Sequence, residues 1–78
     1  MLTSTRCQAA RGLLQWTRER LASEAGLDVG RVVAFELDQA PADPATIAAL
    51  TGALEAAGVI FAGADDDDIL MRERREYG

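Results

Sequence analysis

Arginines and carboxylates make up almost all of the side chains that could do chemistry in this chain. Its 78 residues include no histidine and one cysteine, and all eight basic residues are arginine. Histidine-based acid–base catalysis, His–Cys metal sites and Schiff-base lysines are therefore excluded. Arginine suits bidentate contacts with phosphate and guanine, although a GC-rich genome is the simpler explanation of a composition rich in arginine and alanine. We expect a small binding module that is not an enzyme.

The charge of the chain is acidic and unevenly distributed. Its net charge of −5 at pH 7 argues against polyanion binding through whole-molecule charge. Residues 63–78 contain three arginines and six carboxylates, and residues 1–62 contain five arginines and seven carboxylates. No segment approaches the roughly 20 apolar residues that cross a bilayer, and no signal peptide is recognisable. Because a single cysteine cannot form an internal disulfide, we expect a cytoplasmic protein without a membrane partner.

Four helices are expected to position these side chains, over about 3–14, 17–25, 28–37 and 43–57. Each has apolar residues at three- and four-residue spacing behind a threonine, serine or aspartate that can cap its start. Glycine ends the second and fourth helices. Since only two residues separate the second helix from the cap of the third, these helices must cross steeply, as in a helix-turn-helix unit. Inside the first helix, Gly12 predicts a close helix contact.

The last twenty residues change character. Val59, Ile60 and Phe61 are β-formers after a helix stop, and as an exposed apolar edge they predict homodimerisation. The acidic run 65–68 lacks the spacing of a calcium loop, so we expect no metal there. Residues 69–75 fit either a second strand or a helix, with the strand preferred. We therefore divide the chain into a domain at 1–58 and a β-type arm at 59–78.

One pattern within residues 6–58 is specific. It begins in the stretch 11–36 and continues through a loop into a helix that ends Leu-Glu-Ala-Ala-Gly-Val; its spaced positions are Leu21, Ala22, Gly26, Leu27, Val32 and Glu36. This pattern resembles the lambda-repressor/Cro-type (XRE-like) helix-turn-helix DNA-binding family. The resemblance implies a mainly α fold, a compact domain of four to five helices with a short C-terminal β-strand or hairpin arm.

The resemblance also implies roles for individual residues. The third helix, residues 28–37, would be the recognition helix in the major groove. Thr17 and Arg18, at the start of the second helix, would face the DNA backbone. Arg11 and Glu36 would form a structural ion pair between the first and third helices. The solvent-facing positions that would meet DNA are Asp28, Val29, Gly30, Arg31, Val33 and Ala34.

The expected function is that of a small sequence-specific transcriptional regulator, a repressor because nothing resembles an activation domain. It would bind double-stranded DNA as a homodimer at a pseudo-palindromic operator in the nucleoid, without a cofactor or metal. The alternative is a non-catalytic protein-interaction module, antitoxin-like or an adaptor, that keeps the fold and uses its acidic tail on a partner. The third helix favours this alternative, because Arg31 is its only long polar side chain among Val29, Gly30 and Val33.

Several of these side chains have simpler interpretations. Arg18 and Arg20 either bind phosphate or form surface pairs with Glu19 or Glu24. Arg6 either touches the flanking DNA backbone or is solvated on its helix. Two further side chains are expected to pack in the interior rather than to bind a partner: Cys7 and Trp16.

Overall fold

A computed structural model of the chain describes residues 2–39 and 43–61, together with the backbone of residues 69–71. This part of the chain is mainly helical, as the sequence predicts. None of its helices is both long and apolar enough to cross a membrane. The elements in chain order are α1 (Ser4–Leu14), α2 (Arg18–Ala25), α3 (Val29–Glu36), α4 (Pro44–Ala56), β1 (Val59–Phe61) and β2 (Ile69–Met71).

Side-chain caps start three of the four helices. The side chains of Thr3, Thr17 and Asp43 accept hydrogen bonds from the backbone N–H three residues later, at 3.1, 3.0 and 2.7 Å. Asp28 occupies the same position before α3, but its carboxylate accepts no capping hydrogen bond from the described backbone. The start of α3 therefore lacks the side-chain cap that the sequence predicts at Asp28.

The connection between α2 and α3 is a tight turn. Gly26 follows α2 with φ of +70°, the left-handed conformation that glycine adopts without strain. The N–H of Leu27 then donates to the carbonyl of Ala22 at 2.9 Å, which closes the end of α2. The glycine stop at this position is thus confirmed.

The core lies between the helices and is almost entirely aliphatic. α2 packs against both α3 and α4, and α1 packs against α3. Within the described residues, Phe35 is the aromatic side chain among those that are buried. The largest side chains that are fully buried are Leu21, Leu50, Leu54, Val32 and Cys7. A domain of this size buries few side chains completely, so each of them contributes a large share of the stability.

The close contact predicted at Gly12 is wrong. A Cβ built on this residue would meet no described atom within 4 Å, and the residue is exposed. Gly12 lies on the outer face of α1, so its spacing along the helix does not bring a neighbour near it.

The two strands form an antiparallel pair. Val59 faces Met71, Ile60 faces Leu70 and Phe61 faces Ile69. The strand is thus the correct alternative for residues 69–71, whereas residues 72–75 and the acidic run 65–68 lie outside the described residues. β1 contacts α4 and β2 contacts α1. Val59 packs in the same core as the helices. The division of the chain at residue 58 stays a prediction.

Candidate nucleic-acid interface

The carboxylate of Glu36, at the end of α3, is the centre of a buried cluster. Its Oε1 accepts from Arg11 Nη2 at 2.8 Å and from Arg18 Nε at 2.9 Å. Its Oε2 accepts from Arg11 Nε at 2.7 Å and from Cys7 Sγ at 3.2 Å. The side chain of Glu36 is 0% exposed. Since a carboxylate has about four acceptor positions, all of them are filled. We call these four residues the Glu36 cluster.

The charges of the Glu36 cluster are strongly coupled. Burial alone would raise the pKa of Glu36, but the hydrogen bonds from Arg11, Arg18 and Cys7 outweigh it and lower that pKa. Its hydrogen bonds in turn raise the pKa of Arg11. Burial, reinforced by the hydrogen bond to Glu36, raises the pKa of the Cys7 thiol, which therefore stays protonated. The cluster thus holds two positive charges and one negative charge.

This cluster ties α1, α2 and α3 together. The Arg11–Glu36 pair expected between α1 and α3 is present, and Arg11 Nη1 also donates to the carbonyl of Trp16 at 3.0 Å. Gln8 Nε2 adds a bond at 2.8 Å to the carbonyl of Glu36. Arg18 shares the same carboxylate, which the sequence does not indicate because Glu36 lies 18 residues further along the chain.

Arg18 has one side inside the cluster and one side outside it. Its Nε is bonded to Glu36, and 35% of its side chain is exposed. Within the described part of the chain, its two terminal amino groups make no hydrogen bond. Thr17, the neighbouring cap of α2, is exposed. The start of α2 therefore presents an anchored arginine to solvent.

Arg20 follows the simpler interpretation. Its Nε lies 2.8 Å from Glu24 Oε2, one helical turn away, and both side chains are largely exposed. Its guanidinium also lies over the ring of Trp16, 4.9 Å from the centroid. Trp16 itself is partly buried against the core, as expected. We therefore do not include Arg20 in the candidate interface.

The first turn of α3 is solvent-exposed. Asp28, Gly30 and Arg31 are exposed, and Val29 is 36% exposed. The two later positions predicted to face solvent, Val33 and Ala34, are half-buried. The surface that α3 offers to a partner is consequently concentrated in its first turn.

Arg31 reaches from this first turn to the start of α4. Its Nη1 lies 3.4 Å from Thr46 Oγ1 and 3.9 Å from Asp43 Oδ2. The side chains of Arg31 and Asp43 are 59% and 57% exposed. The hydrogen bond from the backbone of Thr46 is the main cause that lowers the pKa of Asp43, with a smaller contribution from Arg31. Arg31 is therefore loosely held and open to solvent.

The residues predicted to dimerise differ in exposure. Val59 is only 3% exposed because it packs in the core of its own chain, and Phe61 is half-buried. Ile60 is 38% exposed. Of this group, Ile60 is the residue best placed to meet a second copy, and the dimer itself stays a prediction.

Neither alternative considered for Arg6 matches its position. The residue is 6% exposed and lies on the buried side of α1. The long aliphatic part of an arginine side chain can be buried in this way. Arg6 is therefore a part of the folded interior.

No protein-family model matches this chain, and no curated protein does. The resemblance to XRE-like domains therefore depends on the residues of this chain alone. In the described part of the chain, no group of three cysteine or acidic side chains is placed to hold a metal ion.

Proposed function

We propose that this protein is a small sequence-specific DNA-binding transcriptional regulator, a repressor that binds a pseudo-palindromic operator as a homodimer. One observation carries the proposal. A short helix, a tight turn and a second short helix present an exposed first turn at α3 and an outward-facing arginine at the start of α2. This combination supplies α3 as a helix that can enter the major groove of DNA and Arg18 as a cation that can bind the DNA backbone.

The packing of α2 and α3 supports a helix-turn-helix arrangement. Leu21 and Ala22 on α2 and Val32 and Phe35 on α3 are buried in one core, and the left-handed Gly26 joins the helices. In DNA-binding proteins with this unit, the second helix enters the major groove by its N-terminal residues. The corresponding residues here are the exposed ones of α3.

Each exposed group has a role that its chemistry permits. Arg31 carries donors for the O6 and N7 atoms of guanine, and Val29 can contact a thymine methyl group. Gly30 permits a close approach of the helix to the bases. At the start of α2, Thr17 and Arg18 bind the phosphate backbone and fix the register without reading the sequence.

The test is selection of bound duplexes from a random-sequence pool at two salt concentrations. We expect a recovered pseudo-palindrome with half-sites about 10 bp apart and an affinity that falls as salt rises. The double variant R18A/R31A should recover no sequence, whereas the control R20A should recover the same one. Absence of both enrichment and salt-dependent binding for the wild type would reject the proposal.

A second candidate is a protein-interaction module with weak or no DNA binding. Asp28 favours it, because the Asp28 carboxylate makes no capping hydrogen bond and would lie near the phosphates and repel them. The net charge of −5 has the same effect at longer range. A module of this kind would use the acidic 59–78 segment, so R18A/R31A that circular dichroism shows to be folded would still bind its partner.

A further inference from the structure

We propose that Glu36 is a positioning residue that holds Arg18 by its Nε, so that the two terminal amino groups face a DNA phosphate. This inference rests on the function proposed above and adds a residue that would not touch the DNA. A guanidinium is planar and rigid, so the Nε–H bond to Glu36 and the attachment at Cδ together constrain the plane of its amino groups. A phosphate can then be met end-on by both amino groups without a further loss of side-chain freedom.

The saturation of Glu36 explains why those amino groups remain available. The carboxylate already accepts three bonds from arginine nitrogens and one from the Cys7 thiol. It has no acceptor position left for the terminal amino groups of Arg18. These groups must therefore find another acceptor, which is water in the free protein and a phosphate oxygen in the complex.

The charge of the cluster points in the same direction. Two guanidinium groups share one carboxylate, which leaves one positive charge in excess. Arg18 is the more exposed of the two, at 35% against 19% for Arg11. The next residue, Glu19, is exposed and makes no ion pair with Arg18 in the described part of the chain. The unbalanced positive charge of the cluster is therefore most accessible to solvent at Arg18.

Arg20 provides a matched control on the same helix. Its Nε–carboxylate distance of 2.8 Å nearly equals the 2.9 Å of Arg18, but its partner Glu24 is 43% exposed where Glu36 is 0% exposed. An exposed pair contributes little energy, so Glu24 holds the guanidinium of Arg20 only weakly. The two arginines thus share charge and helix and have nearly equal bond lengths; they differ in the burial of the carboxylate, and Arg20 also lies over the Trp16 ring.

The experiment compares R18K and R18A with R20K and R20A for binding to the selected duplex at several salt concentrations. Lysine keeps the charge but has no planar group that can be anchored on one side and bind on the other. We expect R18A and R18K each to weaken binding about tenfold or more. The slope of log affinity against log salt should fall by about one for R18A and stay unchanged for R18K. Both Arg20 variants should bind within about twofold of the wild type.

The outcomes separate this inference from the proposed function. Failure of the wild type to bind any duplex rejects the proposed function, and the inference with it. Binding by the wild type together with near-wild-type affinity of R18K rejects the inference alone, because the charge would then suffice. A loss in R18K as large as in R18A, at an unchanged salt slope, supports it.

A second measurement keeps the test valid if a variant folds poorly. Arginine Nε–H exchange can be followed by NMR in the wild type, free and bound to duplex. The Nε–H of Arg18 should exchange with water far more slowly than that of Arg20 in both states. Equal exchange rates for the two groups would overturn the proposed anchoring.

Discussion

Arg18 and Arg31, at the two ends of the candidate interface, are held in very different ways. Arg18 is bonded at 2.9 Å to a carboxylate that is completely buried. Arg31 lies 3.9 Å from the carboxylate of Asp43, which is 57% exposed. The first arginine is therefore tied to the buried interior through its Nε while its end stays at the surface, whereas the second can move without disturbing the fold.

The comparison shows how burial changes the consequence of one type of pair. Removal of one partner from a buried ion pair leaves an uncompensated charge in the interior, which is strongly destabilising. An exposed pair is screened by water and contributes little. The proposed backbone contact of Arg18 thus depends on the packing of the core. The proposed base contact of Arg31 can be substituted without loss of the fold.

The largest effect is expected for Glu36→Ala. This substitution leaves Arg11 and Arg18 without their buried partner, so the free energy of unfolding should fall by about 3–5 kcal/mol. Urea denaturation at pH 7 measures it. The control Glu24→Ala breaks a pair of similar length on the surface and should change stability by less than about 1 kcal/mol. Equal losses in the two variants would contradict the distinction between buried and exposed pairs.

Acid should destabilise the protein through the same cluster. The pKa of Glu36 is lowered in the folded state, so its contribution is fully present above the unfolded pKa, about 4.3. That contribution is lost as the pH falls through the lowered folded pKa. We expect stability to decline below about pH 4.3, and a ¹³C titration of the Glu36 carboxyl to show a midpoint below the ordinary range.

A variant at the other end of the interface checks this assignment. Asp43 also has a lowered pKa, chiefly through the backbone of Thr46, and so it adds to acid loss with the same sign. Asp43→Asn should remove only the part of the acid-induced loss of stability that Asp43 contributes. If this variant became insensitive to acid, the Glu36 cluster would not be the main source.

Arg31→Ala should separate binding from stability. The side chain is exposed and loosely held, so we expect the unfolding free energy to change by no more than about 0.5 kcal/mol. Loss of a base contact should cost about 1–3 kcal/mol of duplex affinity and relax selection at one position of each half-site. Parallel binding and denaturation curves test both parts. A weaker affinity spread evenly over all sequences would instead make Arg31 a phosphate contact.

The smallest effect is expected for Gly30→Ala. A Cβ at this exposed helical position would meet no described atom within 4 Å, so alanine should stabilise the protein by about 0.5–1 kcal/mol. Duplex affinity should nevertheless fall if α3 approaches the bases closely there. Gly52→Ala, inside α4, has equally open surroundings and should give at least as large a stabilisation without a loss of affinity. An unchanged affinity of Gly30→Ala would place this position away from the DNA.

Much of the fold can be predicted from the sequence because its signals are local. Thr17 and Gly26 delimit α2 through a side-chain cap and a left-handed turn, which depend only on neighbouring residues. The antiparallel partner of Val59–Phe61 was one of two alternatives for residues 69–75. Local sequence could not decide between them, because the strand is defined by pairing with a distant segment.

The candidate site was less predictable than the fold. The solvent-facing positions of α3 were correct for its first turn, but the half-burial of Val33 and Ala34 depends on how α3 packs against its neighbours. The same is true of Arg6, whose charge predicts a solvated or DNA-facing side chain and which the fold buries. Spacing indicates which residues share a face, and the neighbouring elements decide which faces are covered.

The sequence by itself determined that this chain is mainly helical and where its helices begin and end. It also determined that arginine supplies all of its basic side chains. Those properties follow from backbone preferences and side-chain types over a few residues. Only the tertiary structure decided that Arg18 shares a buried carboxylate with Arg11, whereas Arg20 pairs at the surface. The physical reason is that Glu36 lies 18 and 25 residues from Arg18 and Arg11, so only the packing of three helices brings their charges together.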